Sequence, residues 1–194
     1  MNIDRPKNVV FLVTGNFHKF IEARLVLAEF GLSTVMLNLD TLEIQANDVE
    51  SVAKASAIDA VKECCLPLIV EDSGLFVKPL RGFPGPYSSY AFETIGLSGI
   101  IRVMKEMKDR RAFFQSVIAF ADPGQKSIKL FHGKVEGRIA ENAKGQKGFG
   151  FDPIFIATDA GEETFAEMSV GRKNEHSHRA KALRAFAEWY CSRF

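Results

Sequence analysis

Cysteine is scarce: Cys64, Cys65 and Cys191 are the only three in 194 residues. An odd count with two neighbours makes no disulfide framework, and no pair has zinc-site spacing. Three reduced thiols in a reducing compartment are expected. Excess charge is missing too: 25 Lys and Arg against 24 Asp and Glu leave a formal charge of +1. That gives no electrostatic case for a general nucleic-acid binder, although a local basic site stays open. Long apolar runs are also absent. The opening MNIDRPKNVVFLVTG is too briefly apolar for a secretory signal or a membrane span, and no later segment reaches membrane length. The expected location is the cytoplasm. The chain has no repeat, no low-complexity tract, no linker and no G-x-x-x-x-G-K-[ST] phosphate loop.

What is present is ordinary for a globular protein: 46% apolar and 25% charged residues. The length predicts one domain, 1–194, with two lobes around a cleft. Asn8–Thr14 is β-branched and apolar, a buried strand broken by Gly15-Asn16. Phe20, Ala23, Leu27 and Phe30 recur at helical spacing, and Gly31 closes that helix. A strand over Ser33–Leu39, an alanine-rich helix over Val49–Cys65 and a short strand over Leu66–Val70 follow. This order is what an α/β sheet needs. RGFPGPYSS, Arg81–Ser89, predicts a rigid turn, then a helical region to Lys108 interrupted near Gly96 and Gly99. Arg111–Ala121 and Ser127–Val135 flank Asp122-Pro123-Gly124-Gln125, a hairpin signal. A glycine-rich loop, Lys144–Gly150, expected to be mobile, leads to a short strand at Asp152–Ile156. A helix over His176–Arg193 ends the chain. The expected fold is α/β with a mixed, strongly twisted sheet, elongated, with two lobes around a central substrate cleft.

Five segments carry side chains suited to chemistry. Thr14-Gly15-Asn16-Phe17-His18-Lys19 joins a strand to a helix, where free amides and the helix dipole favour an anion. The plainer reading is Asn16 as a cap and Lys19 in water. Glu71-Asp72-Ser73-Gly74 ends an apolar strand, where α/β sheets bind ligands. Neighbouring acids on a strand face opposite ways. Asp72, taken to precede a Ser73-Gly74 turn, is the better ligand candidate, against an Asp that only bonds its own turn. Glu43, in the loop after the second strand, would add a second hard oxygen, and magnesium needs only one or two protein carboxylates. Phe149-Gly150-Phe151-Asp152 sets aromatics beside a carboxylate on a loop, fit for stacking on a base or for covering core. Lys173, His178 and Arg179 surround the start of the last helix and suit phosphate or a carbonyl oxygen. His176-x-His178 lacks a third soft ligand and is not read as a metal pair.

Seven motifs in order, T-G-N-x-x-K, E-I-Q, V-E-D-S-G-L, G-x-P-G-P-Y-S, F-G-F-D-P-I-F, F-A-E-M and K-N-x-x-S-H-R, resemble the inosine triphosphate pyrophosphatase family from about Val9 to Phe186. The resemblance implies Mg²⁺, a homodimer and cleavage of ITP, dITP or XTP to the monophosphate and pyrophosphate, cleansing the nucleotide pool. It implies that Thr14, Asn16 and Lys19, with Gly15, Phe17 and His18 between them, hold the triphosphate. Glu43 and Asp72 would bind the metal, with Asp72 accepting the proton of the attacking water, and Ser73 would contact substrate. In the Phe149-Gly150-Phe151-Asp152 segment, Phe149 would stack on the purine and Asp152 would help bind the nucleoside, and Lys173, His178 and Arg179 would contact base and phosphates. One departure stands out: the family's helical lysine, sixteen residues before the aspartate, is Ser56 here. Lys54 lies roughly 200° around the helix from it. Ser56→Lys is therefore expected to raise rate or affinity. A Maf-like pyrophosphatase acting on modified pyrimidines and a catalytically weak nucleotide-binding protein are the alternatives.

Overall fold

The computed structural model describes residues 8–42, 44–125 and 127–193. The run VVFLV forms β1 (Val9–Val13), and Asn16 caps α1 (Phe17–Ala28), whose end is turned by Gly31. Then follow β2 (Ser33–Leu37) and α2 (Val49–Cys64), capped by Asp48, whose carboxylate accepts from the Ser51 N–H at 2.7 Å. β3 (Leu68–Val77) returns beside β1. A short strand, β4 (Pro84–Gly85), precedes α3 (Ser88–Thr94) and α4 (Gly96–Val103). The hairpin is β5 (Arg111–Ala121) and β6 (Lys129–Ile139); β7 (Phe155–Ala157), α5 (Val170–His176) and α6 (His178–Cys191) complete the order.

These strands make one mixed seven-stranded sheet in the order β2-β1-β3-β5-β6-β7, with β4 paired to β3. The first three long strands are parallel; β3, β5, β6 and β7 alternate in direction. The fold is thus α/β with a mixed sheet, as expected. Right-handed crossovers set α1 and α2 on opposite faces, because β1 to β2 and β2 to β3 step in opposite directions across the sheet. One face buries Val10, Leu12, Ile69, Ile118 and Phe131 under α1 and α6. The other buries Val13, Leu68, Val70, Val117 and Ala119 under α2. A third cluster, around Phe114, Phe155 and Phe165, covers the β4–β7 end together with Leu75, Ile100 and Met104.

Four sequence expectations need correction. Ser73-Gly74 is no turn: β3 runs on through Glu71–Gly74, paired with β5 from Leu68↔Ala121 to Val77↔Ala112. Gly74 is there for close approach, since a Cβ would lie 2.2 Å from the Gly85 carbonyl oxygen. The helical region breaks once, at Gly96, and Gly99 lies inside α4. Asp152–Ile154 is a single 3₁₀ turn before β7. The last helix is two: the backbone is extended at Ser177, which ends α5 and caps α6 by accepting from the Ala180 N–H at 3.2 Å.

Candidate active site

β1 hands the chain to α1 and β2 on one side, while β3 pairs with it on the other. The carboxyl end of β1, beside the middle of β3, is therefore a topological switch point, where open α/β sheets leave a crevice. Pairing of β1 with β3 stops at Val13↔Val70, so Thr14–Lys19 and Glu71–Ser73 face each other just beyond the ladder.

The Thr14–Lys19 turn is held by its own side chains. The Thr14 hydroxyl oxygen accepts from the Asn16 N–H at 3.1 Å; Asn16 Oδ1 accepts from the His18 and Lys19 N–H groups at 2.9 and 3.2 Å. Two amides expected to be open to an anion are thus satisfied, because a side-chain cap is always within reach of them. Gly15 lies exposed in this turn. Phe17 is exposed, and its ring meets Phe20.

Lys19 is not a solvated charge. Its ammonium lies 2.8 Å from Glu71 Oε2 and donates to the Glu71 carbonyl oxygen at 3.2 Å. Glu71 is 6% exposed and also accepts from Ser116 Oγ at 2.6 Å, with Arg179 Nε 3.1 Å from its Oε1. Arg179 reaches Glu22 at 2.5 Å and donates to Ser73 Oγ at 2.9 Å. Lys173 donates to Glu22 at 2.7 Å and to Asp152 at 2.6 Å. Lys19, Arg179 and Lys173 thus stand against Glu71, Glu22 and Asp152, three cations against three carboxylates. Burial is the largest single influence on Glu71 and Glu22 and pushes both carboxyls up, but Arg179 together with Lys19 and Ser116 at Glu71, and with Lys173 at Glu22, outweighs it, so both are held below the ordinary range. At Asp152 burial prevails over Lys173, with Glu22 adding to it, and the carboxyl is raised. Burial works against the Arg179 charge, but Glu71 and Glu22 overcome it and hold the guanidinium protonated.

His178 is buried, stacked on Phe114 with ring centroids 4.5 Å apart. Burial, then the charges of Arg179 and Lys173, hold its pKa well below the ordinary histidine value. The ring is held neutral. Phe149 is partly exposed; Lys173 Nζ lies 5.0 Å and Arg179 Cζ 5.3 Å from its ring centroid. Gly150 follows Phe149 with φ 58°. Phe151 is core, 3% exposed and edge-on to Phe92. Asp152 accepts from the Phe149 N–H at 2.9 Å, so it fixes the loop that carries that ring.

The glycine-rich loop, expected to be mobile, is tied down on the F-A-E-M turn. The Lys147 N–H donates to the Ala166 carbonyl at 3.0 Å, and Thr164 Oγ1 donates to the Lys144 carbonyl at 2.9 Å. Gly145, at φ 81°, packs so close that a Cβ would stand 2.3 Å from the Ala166 backbone.

Strand alternation divides β3. Glu71 and Ser73 share the face of Ile69, under α1 and α6; Asp72 shares the face of Leu68 and Val70, under α2. The expected partner of Asp72, Glu43, lies outside the described residues. Its neighbour Leu42 is fastened to α2 twice: its N–H donates to Asp59 Oδ2 at 2.9 Å, and its carbonyl accepts from Ser56 Oγ at 3.1 Å. Ser56 is 4% exposed, whereas Lys54 lines a separate hollow of about 470 Å³ with Ile58, Val61, Lys62 and Gln125. Lys54 therefore does not stand in for the family lysine. Among the described residues, no group of three or more His, Cys, Asp or Glu gathers around one point. Asp72 as a residue is partly exposed, with its Oδ2 buried; a carboxylate is the hard donor that a largely hydrated dication accepts, because such an ion keeps its waters and takes phosphate oxygens. Of the expected pair of acids, Asp72 alone lies among the described residues, and its carboxylate is a donor of the hard-oxygen kind that magnesium takes.

The structure brings Lys19, Ser73, Phe149, Asp152, Lys173 and Arg179 together through direct contacts. Sequence reading missed Glu22 and Ser116, and passed over Glu71. Glu22 had a faint signal: an acid beside Ala23, on the side of a helix that also carries Val26 and Leu27, all of them buried.

The sheet order and this network of paired charges define an open-sheet α/β protein with a buried charged cluster at its switch point. The chain belongs to the Ham1 family, whose model matches residues 10–189. It is 45% identical over 181 residues to a dITP/XTP pyrophosphatase of Methanopyrus kandleri, covering 93% of this chain and 95% of that one. It is also 45% identical over 181 residues to a protein of the same description from Hyperthermus butylicus, covering 93% and 94%. The solved Ham1 protein of Staphylococcus aureus superposes with a TM-score of 0.82 at 27% identity, over 96% of this chain and all of that one.

Proposed function

We propose that this protein hydrolyses deaminated purine nucleoside triphosphates, dITP, ITP and XTP, to the monophosphate and pyrophosphate. The observation that carries this is the meeting of Lys19, Arg179, Lys173 and Phe149 beyond the carboxyl end of β1 and beside the middle of β3, in a member of a family whose relatives are described as dITP/XTP pyrophosphatases. Cations, capped turn and aromatic ring meet the three needs of such a substrate: charge, position and a base platform.

In this reading a water attacks the α-phosphorus, the bond to the oxygen bridging the α- and β-phosphates breaks, and pyrophosphate leaves. Asp72 takes the proton of that water. Lys19, shared with Glu71, and the Thr14–Asn16 turn hold the departing phosphates. Magnesium would be held by Asp72 and Glu43, and when bound it would neutralise phosphate charge and orient water. Arg179, fixed by Glu22, Glu71 and Ser73, is a donor for O6 of hypoxanthine or xanthine. Adenine offers a donor at that position, and a site with a fixed donor rejects such a base by roughly 10⁴–10⁵. A two-lobed chain closing on the nucleotide, a homodimer and a cytoplasmic location complete the proposal. Support for a dimer is the exposed apolar row Phe83, Tyr87, Tyr90 and Ile95. No described helix is long and apolar enough to cross a membrane.

The test is pyrophosphate release with Mg²⁺ from ITP, XTP, dITP, GTP and ATP. The first three should be cleaved faster than ATP by at least about 10³. Equal rates on all five reject the selectivity.

A further inference from the structure

His18 stands in the first turn of α1, exposed, with no role in the cap beyond its backbone N–H. Its ring lies on that of Phe149, centroids 5.4 Å apart and planes within 15°. Four residues further along α1, on the same side of the helix, Glu22 grips Lys173 and Arg179, the two cations over the Phe149 ring. One face of α1 thus addresses the base loop twice: a carboxylate fixes the cations, and a ring meets the ring.

Two parallel plates admit one more aromatic plane when they stand ~7 Å apart, ~3.5 Å on either side. With centroids 5.4 Å apart, His18 and Phe149 must part by at least about 2 Å, a movement open to an exposed side chain by rotamer change. We propose that His18 is the second plate of the base slot: the purine enters between His18 and Phe149, and the stack seen here is that slot closed on itself. This rests on the reading of Phe149 as base platform and deepens it. Stacking is blind to base edges, so His18 contributes affinity for every purine, while Arg179 keeps the selection at O6.

The test is calorimetric titration of IMP with Mg²⁺ into the whole protein carrying His18→Ala, His18→Phe, His18→Leu or Phe149→Ala. His18→Ala should weaken IMP about 5- to 150-fold, the worth of one base–aromatic stack. His18→Phe should restore affinity to within about threefold of the parent, and His18→Leu, bulky but without a π-face, should not. IMP binding unchanged or tighter in His18→Ala overturns the proposal, the tighter result making the ring a cover that the base displaces. Equal affinities for the Phe and Leu variants also overturn it. Phe149→Ala separates the two levels. If it binds IMP like the parent, the platform reading itself falls, and the slot with it; if it weakens IMP while His18→Ala does not, only the second plate falls.

Discussion

The two faces of β3 at its crossing with β1 are built in opposite ways. Glu71 and Ser73, under α1 and α6, sit in a buried lattice in which each cation meets at least one carboxylate. Asp72, one residue away on the α2 face, is partly exposed, and the same helix holds the chain at Leu42. The difference separates holding from reacting. A buried, compensated network costs desolvation, but it fixes donors in one geometry, which is what recognition of a planar base demands. A carboxylate that takes part in the reaction must stay within reach of water and metal.

Changing one residue on each face tests this division, and the largest effect is expected at Asp72. Asp72→Asn keeps shape and removes the carboxylate to which the proposed mechanism gives proton transfer and metal binding. Turnover of ITP should fall by roughly 10²–10⁴ while the circular dichroism spectrum stays that of the parent. A retained rate would remove Asp72 from the chemistry. Loss of fold would show that this face is structural after all.

Glu71→Gln should do the converse. It leaves Arg179 and Lys19 facing a neutral amide in a buried place, and uncompensated burial of charge costs about 3–5 kcal/mol. For a chain of this size that lowers Tm by about 6–20 °C. The parent should also carry an acid signature. The carboxyls of Glu71 and Glu22 are held below their ordinary 4.5, so the unfolded chain takes up protons on them before the native one does. Their stabilisation is whole above about pH 4.5 and drains as pH falls through the lower native values. Chemical denaturation between pH 6 and 3 should show a shallower loss in Glu71→Gln than in the parent. An equal loss would mean that Glu71 is not the group titrating.

Local chemistry was legible in the sequence; long-range pairing was not. Asn16 as a cap follows from a rule that reaches three residues. Opposite facing of Glu71 and Asp72 follows from strand alternation alone, and the structure bears it out. Ser73-Gly74 misled because a turn signal is local, while the ladder to β5 that overrides it lies over forty residues away along the chain. The glycine-rich loop misled in the same way: its backbone bonds go to the F-A-E-M turn, about twenty residues on. Glu22 and Lys173 stand 151 residues apart, and nothing in either neighbourhood announces the other. Family motifs marked Lys173 and Arg179 as important, but not that their charges are already met by Glu22, Glu71 and Asp152.

The smallest effect should come from the α2 face, at the position where the family has lysine. Ser56 Oγ donates to the Leu42 carbonyl at 3.1 Å and so helps hold the segment leading to Glu43. The gain expected from Ser56→Lys does not follow from this geometry. The side chain is 4% exposed beneath that segment, and a lysine must push the segment aside before its ammonium reaches anything. Ser56→Ala removes one hydrogen bond and nothing else, worth about 0.5–1.5 kcal/mol. If Ser56 steadies a metal-binding segment, the Mg²⁺ concentration for half-maximal ITP cleavage should rise about 2- to 10-fold in the alanine variant, with KM for ITP at saturating metal moving less. A shift in KM with no change in metal dependence would place Ser56 among the groups that serve the nucleotide, and the division between the faces of β3 would then not extend to α2.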